Sequence, residues 1–201
     1  MGAAGVVGDV TGGAAGFGDS YSGAKAAARR LLNYSTYYVM KARAGTVGES
    51  GVSKLMGGIR EAKADVKLHL IGHSFGGRLV SAAAQKAGET AGSEATSATL
   101  LQAAFSHNGF AKSFPLGEDG YFRSVLTADK VHGPILITHT HTHTHTHNDR
   151  ANAIAYPIAS RIAGQNAASL GGPDDVYGAI GANGARNTPR PTKVTCWTQA
   201  S

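Results

Sequence analysis

Val66-Lys-Leu-His-Leu-Ile-Gly-His-Ser-Phe-Gly-Gly-Arg-Leu-Val-Ser-Ala-Ala-Ala-Gln-Lys-Ala87 carries three signals in one unbroken stretch. From Val66 to Ile71, apolar residues at 66, 68, 70 and 71 predict a compact strand. Gly72 to Gly77 is a sharp turn. Arg78 to Ala87 is Ala-rich, has no breaker and is followed by Gly88, so it predicts a helix. Inside the turn, Gly72-His73-Ser74-Phe75-Gly76 fits the pattern G-x-S-x-G.

The chemistry explains that spacing. A serine set on a strained strand-to-helix turn lifts its hydroxyl above the edge of a sheet. Small residues at 72 and 76 let the strand and the helix approach without side-chain collision. The helix N-terminus favours negative charge developing beside it. The Phe75 N–H is then placed to donate to an oxyanion. The competing reading is a glycine-rich turn with an incidental serine, or a phosphate-binding turn. Against the latter, no Walker lysine follows and G-x-G-x-x-G is absent. His73 is expected to pack beside the turn, and His69 to lie on the face of the sheet.

Working outward, 1–23 is a Gly- and Ala-rich lead-in. A helix is expected over 23–43, with Gly45 as its stop. A second is expected over 50–64, with Val52, Leu55, Met56 and Ile59 inward. After the central unit, 96–103 and 133–138 read as strands, and 105–128 as loop with a short helix. A helix over 150–164 contains Pro157, which should interrupt it. The chain is expected to be irregular after 171, ending in a tail over 186–201. Strands alternating with helices predict an α/β fold with three layers, a mostly parallel sheet and helices on both faces. The domain is assigned to 24–185.

Composition narrows the class. At 201 residues and 42% hydrophobic, the chain suits one domain with a real core. Its 28 glycines follow no collagen period. The lone Cys196 excludes an internal disulfide framework and a cysteine-based zinc site. No apolar run is long enough for a membrane span, and Met1 to Asp9 lacks the pattern of a signal peptide, so a cytoplasmic location is expected. The 19 basic residues are scattered from Lys25 to Lys193 and form no stripe, which argues against a nucleic-acid partner.

The stretch Leu68 to Val80, with Leu100-Leu-Gln-Ala-Ala-Phe-Ser-His107, Gly133-Pro-Ile-Leu-Ile-Thr-His139 and Asn148-Asp-Arg-Ala151, resembles the α/β-hydrolase superfamily. Ala28 to Tyr38 and Asp174 to Gly184 resemble a group of bacterial serine hydrolases within it. The resemblance covers roughly 24–185 and implies a nucleophile, an acid and a base in the order Ser, Asp or Glu, His. Ser74 matches the nucleophile. Asp149 matches the acid by its place after the third strand, although Asn148 or Asp149 could equally cap the helix starting near 150. Asp174 and Asp175 are alternative acids in a context that reads as a turn. No histidine follows His147, and the family's early strands have no counterpart before residue 24. The expectation is therefore a hydrolase-like fold that is incomplete at both ends. His107, just past the second strand, would make a triad only out of order.

Thr138 to His147 is a strict Thr-His repeat. In an extended chain its imidazoles share one face at spacings of roughly 6.6–6.8 Å. Neutral imidazoles bind zinc, copper and nickel, but a structural site draws ligands from more than one segment. The plainer reading is a repeat expansion that displaces Asp149 from its strand. No metal or other cofactor is expected.

Three functional expectations follow. The first is a serine hydrolase cleaving an ester, thioester or amide through an acyl-enzyme at Ser74, with Asp149 orienting a base and the Phe75 N–H on the oxyanion. Its partner would be a small-molecule or acyl substrate, with neither nucleic acid nor membrane. The second is a hydrolase-like fold without turnover, and the third a histidine-rich metal binder.

Overall fold

The computed structural model describes residues 36–87, 89, 92–114, 117–140, 172, 174–189 and 194–199. The chain divides into two compact units, Met1–Thr36 and Tyr37–Ser201, and the described residues belong almost entirely to the second.

That unit contains a four-stranded sheet in the order β1-β2-β3-β4, formed by β1 (His69–His73), β2 (Ser97–Leu101), β3 (Ile135–Thr140) and β4 (Val194–Gln199). Every pairing is parallel. The register sets Leu70 beside Ala98 and Ala98 beside Ile135, so one face carries Leu70, Ala98, Leu100, Ile135 and Ile137, all buried. The opposite face presents His69, Ile71 and His73, and Ile71 is 67% exposed although it belongs to the apolar run that marked the strand. Alternation along the pleat, rather than hydrophobicity alone, decides which side each residue takes.

The α/β class and parallel sheet agree with the sequence, but two expectations need correction. A fourth strand, β4, lies within the tail expected to be irregular and pairs with β3 over its whole length. Gly45 does not end the first helix. Helix α1 (36–47) runs on through a π-turn at Gly48–Val52 into α2 (Ser53–Ala62). In the π-turn the Ser53 N–H bonds the Gly48 carbonyl. A Cβ on Gly48 would collide with the Leu79 carbonyl of α3 (Phe75–Ala87). The two helices thus touch backbone to backbone there, and glycine is retained for closeness rather than for breaking. In α2, Met56 is buried as expected, whereas Leu55 is 62% exposed.

Helix α3 supplies Val80, Ala82, Ala83, Ala84 and Ala87 to the core. Small side chains let it lie close to β1 and β2. Beyond β2, Phe105, Phe110 and Phe122 form a buried trio with centroids 5.0–6.2 Å apart. Each fully buried ring contributes about 1.5–3 kcal/mol. Phe122 leads into the short α4 (Arg123–Thr127), and α5 (Ile180–Asn183) packs by the end of β3. The helix expected over 150–164 lies outside the described residues. Among the described helices, none is long and apolar enough to cross a membrane.

Candidate functional site

β1 ends at His73, α3 begins at Phe75, and Ser74 alone joins them. Its φ is 55°, in the left-handed region. A non-glycine residue there costs about 1–2 kcal/mol and needs surroundings that enforce it. Three hydrogen bonds do so. Ser74 N–H donates to the Leu101 carbonyl at 3.0 Å, and the Ser74 carbonyl accepts from Gly77 N–H at 3.1 Å and Ala104 N–H at 2.9 Å. The main chain of the serine is tied both to its own helix and to the exit of β2.

Two glycines make the turn sterically possible. A Cβ on Gly72 would overlap the Gly76 carbonyl, and one on Gly77 would overlap the Ala103 Cβ. The sequence points to 72 and 76 as the close approaches, whereas the structure places the second at Gly77. A Cβ on Gly76 meets nothing within 4 Å. Phe75 opens the 13-residue helix α3, and its N–H belongs to the first turn, where amides have no intrahelical acceptor. Its ring packs on Tyr37 of α1, with centroids 5.0 Å apart.

The arrangement offers a half-buried hydroxyl on a rigid turn, with helix amides and the positive end of a helix dipole beside it. No hydrogen bond joins the Ser74 hydroxyl to a histidine among the described residues. Asp149, the expected acid, and His141 to His147 lie outside the described residues. Asp175 builds a turn, as its sequence context suggested: its carboxylate accepts from Tyr177 N–H at 3.0 Å.

His107 has a structural place. It is 1% exposed, its Nδ1 accepts from Asn183 Nδ2 at 3.3 Å, and a Cβ on Gly178 would run into its ring. Its main chain is also bonded, to the Gly178 carbonyl and the Arg186 N–H. Burial, with the Arg186 guanidinium, pushes its pKa down to about 4 against the opposing pull of Asp175. The ring is neutral at pH 7, and His107 ties 178–186 to the loop that follows β2. His139, the first histidine of the repeat, is a buried β3 residue with Gly184 against its ring. His69 bonds Ser97 Oγ at 2.7 Å across the exposed face, the place expected of it. His73 is exposed.

Two features near this turn gave no clear sequence signal. Lys41 lies one helical turn after Tyr37, and its carbonyl accepts from Arg78 Nε at 2.9 Å. Burial and the Arg78 charge lower its pKa to about 7. Gln102, directly after β2, is a second non-glycine residue with positive φ, at 40°. Among the described residues, no group of three or more His, Cys, Asp or Glu side chains is placed to hold a metal ion. Comparison with protein-family models, with curated proteins and with solved structures finds no match to this chain.

Proposed function

We propose that this chain is a serine hydrolase of the α/β-hydrolase type, opening an ester, thioester or amide by way of an acyl-enzyme on Ser74. One observation carries the reading: a serine at φ 55°, alone between a parallel strand and a helix, in a turn where Gly72 and Gly77 leave no room for a side chain. Backbone strain of this kind persists where the surroundings over-determine it, and it gathers at functional sites. In the reaction, the Ser74 Oγ–acyl bond forms as the serine proton passes to a base oriented by Asp149, and the Phe75 N–H faces the oxyanion. The leaving group departs with the electron pair, and water then cleaves the acyl-enzyme to release the acid. Asp149 is the proposed acid. The substrate is a small acyl compound.

A second reading, a hydrolase-like fold without efficient turnover, is favoured by the absence of any hydrogen bond from Ser74 to a histidine among the described residues. An unassisted serine is a weak nucleophile.

Covalent labelling by a fluorophosphonate separates the two. Labelling of the wild type that vanishes in Ser74→Ala supports the hydrolase. A folded wild-type sample that stays unlabelled, with unchanged intact mass, supports the second reading.

A further inference from the structure

Two strained residues stand side by side at one edge of the sheet. Ser74 follows β1 at φ 55°, and Gln102 follows β2 at φ 40°. The register pairs His73 with Leu101, so Ser74 and Gln102 take the next positions on neighbouring strands. The serine also brackets the glutamine, bonding the Leu101 carbonyl on one side of it and the Ala104 N–H on the other.

The Gln102 conformation is enforced rather than incidental. Its N–H faces both the carbonyl and the hydroxyl of Thr138, each at 3.3 Å. Gly181 presses on its backbone so closely that a Cβ there would collide with it. Glycine would hold this φ at no steric cost, and asparagine at little. A chain with 28 glycines nevertheless keeps a long amide here. That amide is half-buried. Its Nε2 makes one long bond, to Thr140 Oγ1 at 3.4 Å, and its Oε1 accepts none among the described residues. Gln102 thus stands beside the proposed nucleophile by strand register, and its amide, which reaches towards β3, keeps donor and acceptor capacity to spare at the same end of the sheet.

We propose that Gln102 contacts the substrate of the Ser74 site and hydrogen-bonds an amide carried on its acyl chain, so that amide-bearing acyl groups are taken in preference to plain aliphatic ones. The inference rests on the reading of Ser74 as the nucleophile. A primary amide pairs with a second amide through one donor and one acceptor, which an alkyl chain cannot answer. A substrate lacking the partner leaves the glutamine unsatisfied in a half-buried place.

The test compares p-nitrophenyl butyrate with p-nitrophenyl N-acetylglycinate on the full chain. The Ser74 Oγ–acyl bond forms, the acyl–nitrophenolate bond breaks, nitrophenolate leaves with the electron pair, and the serine proton passes to solvent. Acylation rates are read from the nitrophenolate burst and from intact mass, each normalised to hydroxide-catalysed hydrolysis of the same ester. Wild type should prefer the acetylglycinate by about tenfold, the value of one net hydrogen bond. Gln102→Met, of similar length but without the amide, should bring the two rates together. Gln102→Asn suits the backbone but withdraws the amide by one methylene, and should reduce the preference even if the methionine variant does not fold. Acylation at Ser74 with no preference in wild type, or a preference that survives in the folded variants, overturns the role of Gln102 alone. If neither ester nor a fluorophosphonate modifies Ser74 in folded protein, the nucleophile reading falls and this one falls with it.

Discussion

Gly77 lies flat against Ala103, and a methyl group on the glycine would fall on the Ala103 Cβ. The contact closes the first turn of α3 onto the exit of β2, the same exit that bonds both the amide and the carbonyl of Ser74. Gly77→Ala therefore overpacks a site with no slack. It should lower unfolding free energy by about 1–3 kcal/mol in urea titration. Gly76→Ala, where a Cβ meets open space, should cost much less. Equal losses at the two positions would show that helix propensity, not close packing, governs the turn.

The strain at Ser74 predicts a trade of stability against function. Ser74→Gly removes the left-handed penalty of about 1–2 kcal/mol, offset in part by the greater freedom of glycine in the unfolded chain. The variant should be more stable than Ser74→Ala, which keeps the strain, by about 1 kcal/mol in denaturant titration. Both should lose fluorophosphonate labelling. A glycine variant no more stable than the alanine one would mean that φ 55° is not held in solution.

The strand-turn-helix unit around Ser74 was legible because Val66 to Ala87 carries all three in one local pattern. What failed was set by distant partners. Gly45 looks like a helix stop, yet the Arg78 guanidinium packs over it and the helix continues. Val194 to Gln199 has strand-forming residues, but Gly, Asn and Pro before them suggested an irregular tail, and only the pairing with β3 makes them a strand. The strain at Gln102 has no sequence signal, since it comes from Thr138 and Gly181, which are far along the chain. The place of His107 beneath Gly178 and Asn183 is hidden for the same reason.

His107 predicts an acid-sensitive fold. Its folded pKa of about 4 lies below the unfolded value of roughly 6.5. Between those values the unfolded chain holds a proton that the folded chain lacks. The linkage therefore makes stability rise with pH across that window, and lost stability accumulates as pH falls from about 6.5 towards 4. The slope approaches 1.4 kcal/mol per pH unit for one proton. Urea midpoints of wild type and His107→Gln, taken across pH 4–7, should converge on acidification. Parallel curves would show that the histidine is not buried neutral.

Lys41 acts in the alkaline range by the same logic. Its folded pKa of about 7 is far below the unfolded value of roughly 10.4. The unfolded chain again holds the extra proton, now between pH 7 and 10, so this lysine makes stability rise with pH there. Lys41→Met removes the titration and should flatten the wild-type curve, while gaining most near pH 6, where the buried ammonium is charged. A difference between the two proteins that does not vary with pH would place the amine in water.

The Thr-His repeat predicts at most adventitious metal binding, distinct from a cofactor site and separable from the fold. The described strand β3 runs to Thr140, so deletion of His141 to His147 removes none of it. Imidazoles at alternate positions favour nickel, copper and zinc without closing a tetrahedral site. Calorimetric titration with nickel should show binding to the full chain that is lost on deletion of 141–147, while the stability read from urea titration changes by no more than about 0.5 kcal/mol. Nickel affinity that survives the deletion would locate the metal elsewhere. Nickel that raises the urea midpoint of wild type but not of the deletion variant would show binding coupled to the folded state and would overturn that separation.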